Sequence, residues 1–134
     1  MMKFSPASEL DELLSSLAED VRAVLSAPLV ALGAARPPSG SGVYILSVGG
    51  EVTYVGEAKG SKGLRDRLVS KHLSGDDNHA AQRAFLTDFP DRVLRRRHIK
   101  ENVHVRWVEI SDRNKVAAVE RLLICLLQPP WNRT

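Results

Sequence analysis

The sequence predicts a small α+β domain: a mainly antiparallel three-stranded sheet flanked by helices, with a helical arm in front. Three observations carry this reading. Two β-type runs, Val43–Val48 and Glu51–Gly56, flank Gly49-Gly50, and a glycine pair between such runs is a strong hairpin signal. A later run, Val103–Ile110, alternates well enough for a third strand. The remaining periodic segments are helical, giving the order α–β–β–α–α–α–β–α with no internal repeat.

Each element has its own local reason. Ser5 to Leu25 places Leu10, Leu13, Leu14, Leu17, Val21, Val24 and Leu25 at helical spacing, and Ser8 with Asp11 resembles a capping box. Pro28 ends that helix, and the breaker-rich stretch 31–42 is the one plausible internal boundary. We therefore read 1–40 as an N-terminal helical arm and linker, and 41–134 as the main domain. Ser61 to Leu73 predicts a helix with Leu64, Leu68 and Leu73 on its buried side, followed by a loop at 75–78. Two more helical stretches, His79–Phe89 and Asp91–Ile99, meet at Pro90, a residue poorly tolerated inside a helix. Asp112 caps a last helix, Arg113–Leu127, which stops before Pro129-Pro130.

Composition removes whole classes. With 134 residues, 43% hydrophobic and 26% charged, the chain fits one globular domain and not a disordered or fibrous protein. No apolar run approaches the roughly 20 residues of a membrane span. The opening MMKFSPASELDELL carries acids where a signal peptide needs a basic and then an apolar region, so we expect a cytoplasmic protein. A single cysteine, Cys125, cannot form an intramolecular disulfide, and with no histidine partner near it in sequence it is a poor nucleophile. Charge is unevenly spread: residues 1–40 are net −2 and residues 41–134 net +5. A basic main domain suits a polyanion, whose phosphates would supply affinity but no sequence information.

The last helix contains an anomaly. At roughly 100° per residue, Glu120 falls in the middle of the stripe made by Val116, Leu123 and Leu127. A carboxylate there costs several kcal/mol unless paired or bound to a metal. A buried ion pair with an arginine is one solution, and a metal-ligating or catalytic carboxylate is the other.

The hairpin opens with Gly42-Val43-Tyr44 and closes with Tyr54-Val55-Gly56, and GLRDRLVSKHL follows on a helix. With the lone Glu120 on the last helix and a terminal PPWN carrying Asn132, these elements resemble the GIY-YIG nuclease family. They occur in the family's order and cover 41–132, about two thirds of the chain. The resemblance implies a metal-dependent endonuclease acting on DNA, with RNA left open, using one Mg²⁺ or Mn²⁺ per active site. It places Glu120 on the metal, Arg67 or Arg65 on the scissile phosphate, Tyr44 as general base or water-positioner, and Tyr54 in the same site. His72, or Lys71, assists the arginine, and Asn132 braces the pocket. Such a division of labour is sound, since phosphodiester hydrolysis needs charge neutralised on the phosphoryl oxygens and a positioned water that can lose a proton. A phenol has a pKa near 10, so a neighbouring cation, Arg67 or the metal, is expected to favour its phenolate. The rival is a nucleic-acid-binding module that keeps the fold without cutting.

Three details stay open at this level. Arg67 directly precedes an apolar residue, as the family's arginine does, whereas His72 sits seven residues after Arg65 and about 140° from Arg67 on an α-helix. An irregular helix would bring His72 round. Glu57 stands where relatives often carry lysine or serine, and it would either repel phosphate or help hold the metal. A strict two-residue turn at Gly49-Gly50 would set the tyrosines on opposite faces, so we expect a three-residue loop or a bulge. Candidate backbone contacts to nucleic acid are Lys59, Lys62, Lys71 and the run Arg95-Arg96-Arg97. His79, His98 and His104 show no ligand spacing, and Trp107 and Trp131 read as core. The amphipathic arm is a candidate surface for a homodimer or a partner protein.

Overall fold

The structure, a computed structural model, describes residues 6–60, 63–73 and 79–132, with the side chains of 71 and 73 outside that description. Candidate contact Lys62, the side chain of Lys71 and the loop at 75–78 thus lie outside the described residues. Helix α1 spans Pro6–Ser26, and strands follow at Val30–Ala31 (β1), Gly42–Val48 (β2) and Glu51–Ala58 (β3). One α-turn, Gly63–Arg65 (α2), runs directly into a π-helix at Asp66–Leu73. Helices α3 (Ala80–Phe85) and α4 (Arg92–Asn102), strand β4 (Val103–Glu109) and helix α5 (Arg113–Leu127) complete the order, with a final 3-10 turn at Pro130–Asn132.

The sheet has four strands among the described residues, not three, in the order β1-β4-β2-β3, all antiparallel. The extra strand is two residues long, pairing Val30 with Val105 and Ala31 with His104. Two residues are too short to show a period, which is why the linker conceals it. The predicted helix from His79 also stops early, at Phe85, with turn geometry before Pro90. Asp91 and Asp112 cap α4 and α5 through backbone N–H groups one to two residues into each helix.

The hairpin turn is a two-residue one. Gly49 and Gly50 both have positive φ, +60° and +83°, which glycine adopts without a Cβ penalty. Val48 pairs with Glu51 and Ser47 with Val52, but Leu46 then pairs with Tyr54. Thr53 is therefore the extra residue of a bulge, and its hydroxyl donates back to the Leu46 carbonyl at 3.2 Å. Tyr44 lies across from Gly56 and not from Tyr54. Because side chains alternate along a strand, Tyr54 shares the face of Leu46 and hence of Tyr44.

The sheet separates two apolar clusters. On one face Tyr44, Leu46 and Val105 of the sheet cluster with Leu64 of α2, Leu68 of the π-helix and Ile99 of α4. On the other, Val43, Ile45 and Val55 meet Leu17 and Val24 of α1 and Val116, Val119 and Leu123 of α5. Lys115 clamps α5 to α1 through Asp20 at 2.9 Å and Ser16 at 2.6 Å. Strand β3 is an edge, and Asn132 closes part of it: its Oδ1 accepts from the Val55 N–H and its Nδ2 donates to the Val55 carbonyl, each at 2.8 Å. Replacing Asn132 by Ala leaves both backbone groups without that partner and is expected to cost about 1–3 kcal/mol in urea unfolding. Asn132→Asp keeps only the acceptor and should recover only part of that loss.

Candidate active site

Four side chains converge on the face that Tyr44 and Tyr54 share. Tyr44 is fully buried, and its hydroxyl lies 2.6 Å from His72 Nε2. The rings of Tyr44 and Tyr54 have centroids 6.2 Å apart, and His72 sits 5.5 Å from the first and 5.3 Å from the second. Gly56 makes this packing feasible, because an added Cβ there would overlap the Tyr44 ring and hydroxyl and crowd Tyr54. Arg67 reaches the Tyr44 hydroxyl with both its charge and a hydrogen bond.

The π-helix settles how Arg67 and His72 come together. Hydrogen bonding from residue i to i+5 widens the turn, so residues five apart stack on one face, and π segments recur at functional sites. On an α-helix the same spacing would turn His72 away. Arg65, in the α-turn, is exposed, and its backbone N–H is spent on Pro38.

Electrostatics decides the protonation states. Burial holds the Tyr44 hydroxyl well above the usual phenol range, aided by Tyr54 and opposed by Arg67. Tyr54 is raised by burial in the same sense. Of the two cations that the sequence offers for favouring the phenolate, Arg67 and a metal, Arg67 acts in that direction, but desolvation outweighs it. His72 is pushed down to about 3 by burial first, then by Arg67, His79 and Arg83. At neutral pH the pair is therefore a phenol and a neutral imidazole, with the Tyr44 O–H donating to Nε2 and the ring proton on Nδ1.

The carboxylates lie on the other side of the edge strand. Glu57 shares the face of Val55, opposite Tyr54 and Gly56, and forms an ion pair with Lys59 at 3.2 Å. Glu120 is half-buried, and its carboxyl is raised by burial and then by Glu57, with Arg121, Lys59 and Arg67 opposing. A half-buried carboxyl with a second acid near it suits a divalent cation. Among the described residues no group of three or more His, Cys, Asp or Glu converges. Glu120 and Glu57 are the oxygen donors that would fit a hard divalent ion here.

Other predicted residues are placed differently. Arg95 is a correction: at 1% exposure it points inward, its Nε donating to Gln82 Oε1 at 2.8 Å and its NH1 to the Phe89 and Pro90 carbonyls. It cannot serve as a surface contact for nucleic acid. Arg97 is exposed on α4 and Arg96 is half-buried there, and both line an open groove with Val93 and Lys100. Lys59 and Arg67 line an open groove with Glu57, Gly60 and Asp66. That groove shares Lys59 and Gly60 with a second one, lined by Ser39, Ser41, Glu109, Ser111 and Arg113. His98 is packed between Phe85 and Phe89, and His104 lies in β4. Cys125 is exposed. Sequence reasoning missed His79, whose ring is 6.2 Å from that of His72, and Arg83, whose charge acts on both Tyr54 and His72.

No family model matches this chain, and no curated protein matches it. Among solved structures, the chain is similar to the GIY-YIG N-terminal endonuclease domain of UvrC from Thermotoga maritima, in point mutants bound to a catalytic divalent cation. For two of these the identity is 20%, the cover 89% and 87% of this chain and 97% and 98% of that one, and the TM-score 0.42 and 0.41. A third gives 18% identity, 89% and 97% cover, and a TM-score of 0.41. No helix among the described residues is long and apolar enough to cross a membrane.

The depressed His72 pKa has a stability consequence. The unfolded chain takes up a proton at His72 near pH 6.5, whereas the folded protein resists until about pH 3. Stability is therefore complete above that upper value and falls as pH drops through the window, with a slope of about one proton. Urea unfolding followed across this range should show that slope in wild type and lack it in His72→Gln.

Proposed function

We propose that the chain is a metal-dependent endonuclease of the GIY-YIG type, hydrolysing DNA phosphodiester bonds at the site around Tyr44. The observation that carries this reading is the neutral Tyr44–His72 pair, set beside the Arg67 guanidinium and within electrostatic reach of Glu120. That assembly supplies each group the reaction needs.

In this reading Arg67 binds the scissile phosphate, and its guanidinium offsets the charge that grows on the phosphoryl oxygens. A water is held near the Tyr44 hydroxyl. As the water attacks phosphorus it gives a proton to the Tyr44 oxygen, while Tyr44 passes its own proton to His72 Nε2. The P–O bond to the departing sugar oxygen breaks, that oxygen leaving with the electron pair and taking a proton from solvent. No standing phenolate is required, so the raised Tyr44 pKa is compatible with the role. The proton on His72 is destabilised by burial and by Arg67, which drives its release and resets the site. Tyr54 walls the pocket and keeps Tyr44 in place, and Asn132 holds the Val55 backbone beside it. Glu120, with Glu57 near it, would hold a divalent cation, Mg²⁺ or Mn²⁺, which when bound supplies Lewis acidity at the phosphate. Nucleic acid would lie along the paired grooves that meet at Lys59 and Gly60, with Arg96 and Arg97 as backbone contacts.

Cleavage of labelled single-stranded, duplex and branched DNA, with Mg²⁺, Mn²⁺ or EDTA, tests this. Metal-dependent cutting is expected, and Tyr44→Phe, His72→Ala and Glu120→Gln should each lower the rate by about 10²–10⁴-fold. A protein that binds every substrate and cuts none, with any metal, would be a binding module instead. Replacing Arg97 by Ala should leave the saturated rate unchanged while reducing the slope of log affinity against log salt by about one.

A further inference from the structure

We propose that Gln82 and Arg95 are positioning residues, which fix the His72 imidazole against Tyr44 by holding the backbone of the π-helix. The purpose of this device rests on the nuclease reading, but its test does not.

The His72 carbonyl lies in the last turn of the π-helix, where backbone acceptors run out of partners within the helix. Gln82 Nε2 donates to it at 3.2 Å. Gln82 Oε1 in turn accepts from Arg95 Nε at 2.8 Å, and Arg95 NH1 is anchored on the Phe89 and Pro90 carbonyls at 2.9 and 3.2 Å. Gln82 is 0% exposed and Arg95 1%. A guanidinium can only donate, so it holds the carboxamide oxygen toward itself and the amide N–H toward His72. The chain thus runs in one sense from the loop at Pro90 to the backbone of His72.

The ring itself explains why this matters. An oriented histidine usually donates its second nitrogen to a carboxylate or carbonyl, which fixes both tautomer and direction. Here Nδ1 is buried and has no hydrogen-bond partner among the described residues. Nε2 is engaged with the very group it serves. Among the described residues, what orients the ring is the backbone that carries it and its packing, and Gln82 is the buried side chain that grips that backbone. Keeping a charged arginine in the core serves no packing need that an apolar residue would not meet.

The discriminating variant is Gln82→Glu. It keeps an acceptor for Arg95, now as an ion pair, but cannot donate to the His72 carbonyl. With ¹⁵N-histidine labelling, the His72 ring signals are identified by their loss in His72→Gln. Wild type should show one tautomer, protonated at Nδ1. Gln82→Glu should remain folded, shift the two ring nitrogens toward each other as tautomers mix, and lower kcat about tenfold with KM for DNA unchanged. Gln82→Met, which removes both bonds, should give the same ring signature if it folds. Unchanged ring signals in folded Gln82→Glu would overturn the proposal. A wild-type protein that cuts no substrate would overturn the nuclease reading instead, and the ring signals would still decide the positioning.

Discussion

Side chains on a strand alternate faces, and the site depends on breaking that alternation once. With an unbroken ladder from the Gly49-Gly50 turn, Tyr54 would stand opposite Ile45 and point into the α5 side of the sheet. Thr53 inserts one unpaired residue and returns Tyr54 to the Tyr44 side. Everything built on that face follows: the two phenols, the imidazole packed against both and the arginine that acts on them. The parity error is local, and the hydroxyl of Thr53 stabilises it by bonding back to the strand it disrupts.

Burial then sets the chemistry more firmly than charge does. Arg67 is close enough to pull Tyr44 toward its ionised form, yet desolvation keeps the phenol protonated. The same desolvation strips the proton from His72, with Arg67, His79 and Arg83 adding repulsion. Acid and base are thus a phenol that keeps its proton and an imidazole that does not, joined by one short hydrogen bond. On the far side of edge strand β3 burial again leads, raising the Glu120 carboxyl. There Glu57 adds to the effect of burial on Glu120, and Arg121, Lys59 and Arg67 only partly offset the two. A strand at the edge of the sheet lets groups from both faces act on one another around it.

Much of this was legible in the residues. The last helix has the predicted limits because Asp112 caps it and two prolines follow, and Glu120 stands out by its place in an apolar stripe. The hairpin was legible from its glycine pair, and the need for an irregularity was legible from the two tyrosines. Other features were hidden for physical reasons. Strand β1 is shorter than one period of any pattern. The triple arginine reads as one solvated patch, although Arg95 lies four residues before Ile99 and so shares its buried face, a signal that helical spacing could have exposed. Gln82, Arg83 and His79 acquire their meaning only when α3 is laid beside the π-helix, a long-range packing event that no local pattern encodes.

The π-helix also bears on how such a segment can vary in length. An α-helix that gains one residue between two aligned side chains rotates everything beyond the insertion by about 100°. The wide turn absorbs that residue where it enters, so Arg67 and His72 stay in line at a spacing of five. A chain one residue shorter here could close the same segment as an ordinary α-helix, with the two side chains four apart and again on one face. Length variation at this point thus need not disturb the alignment of the groups on either side of it.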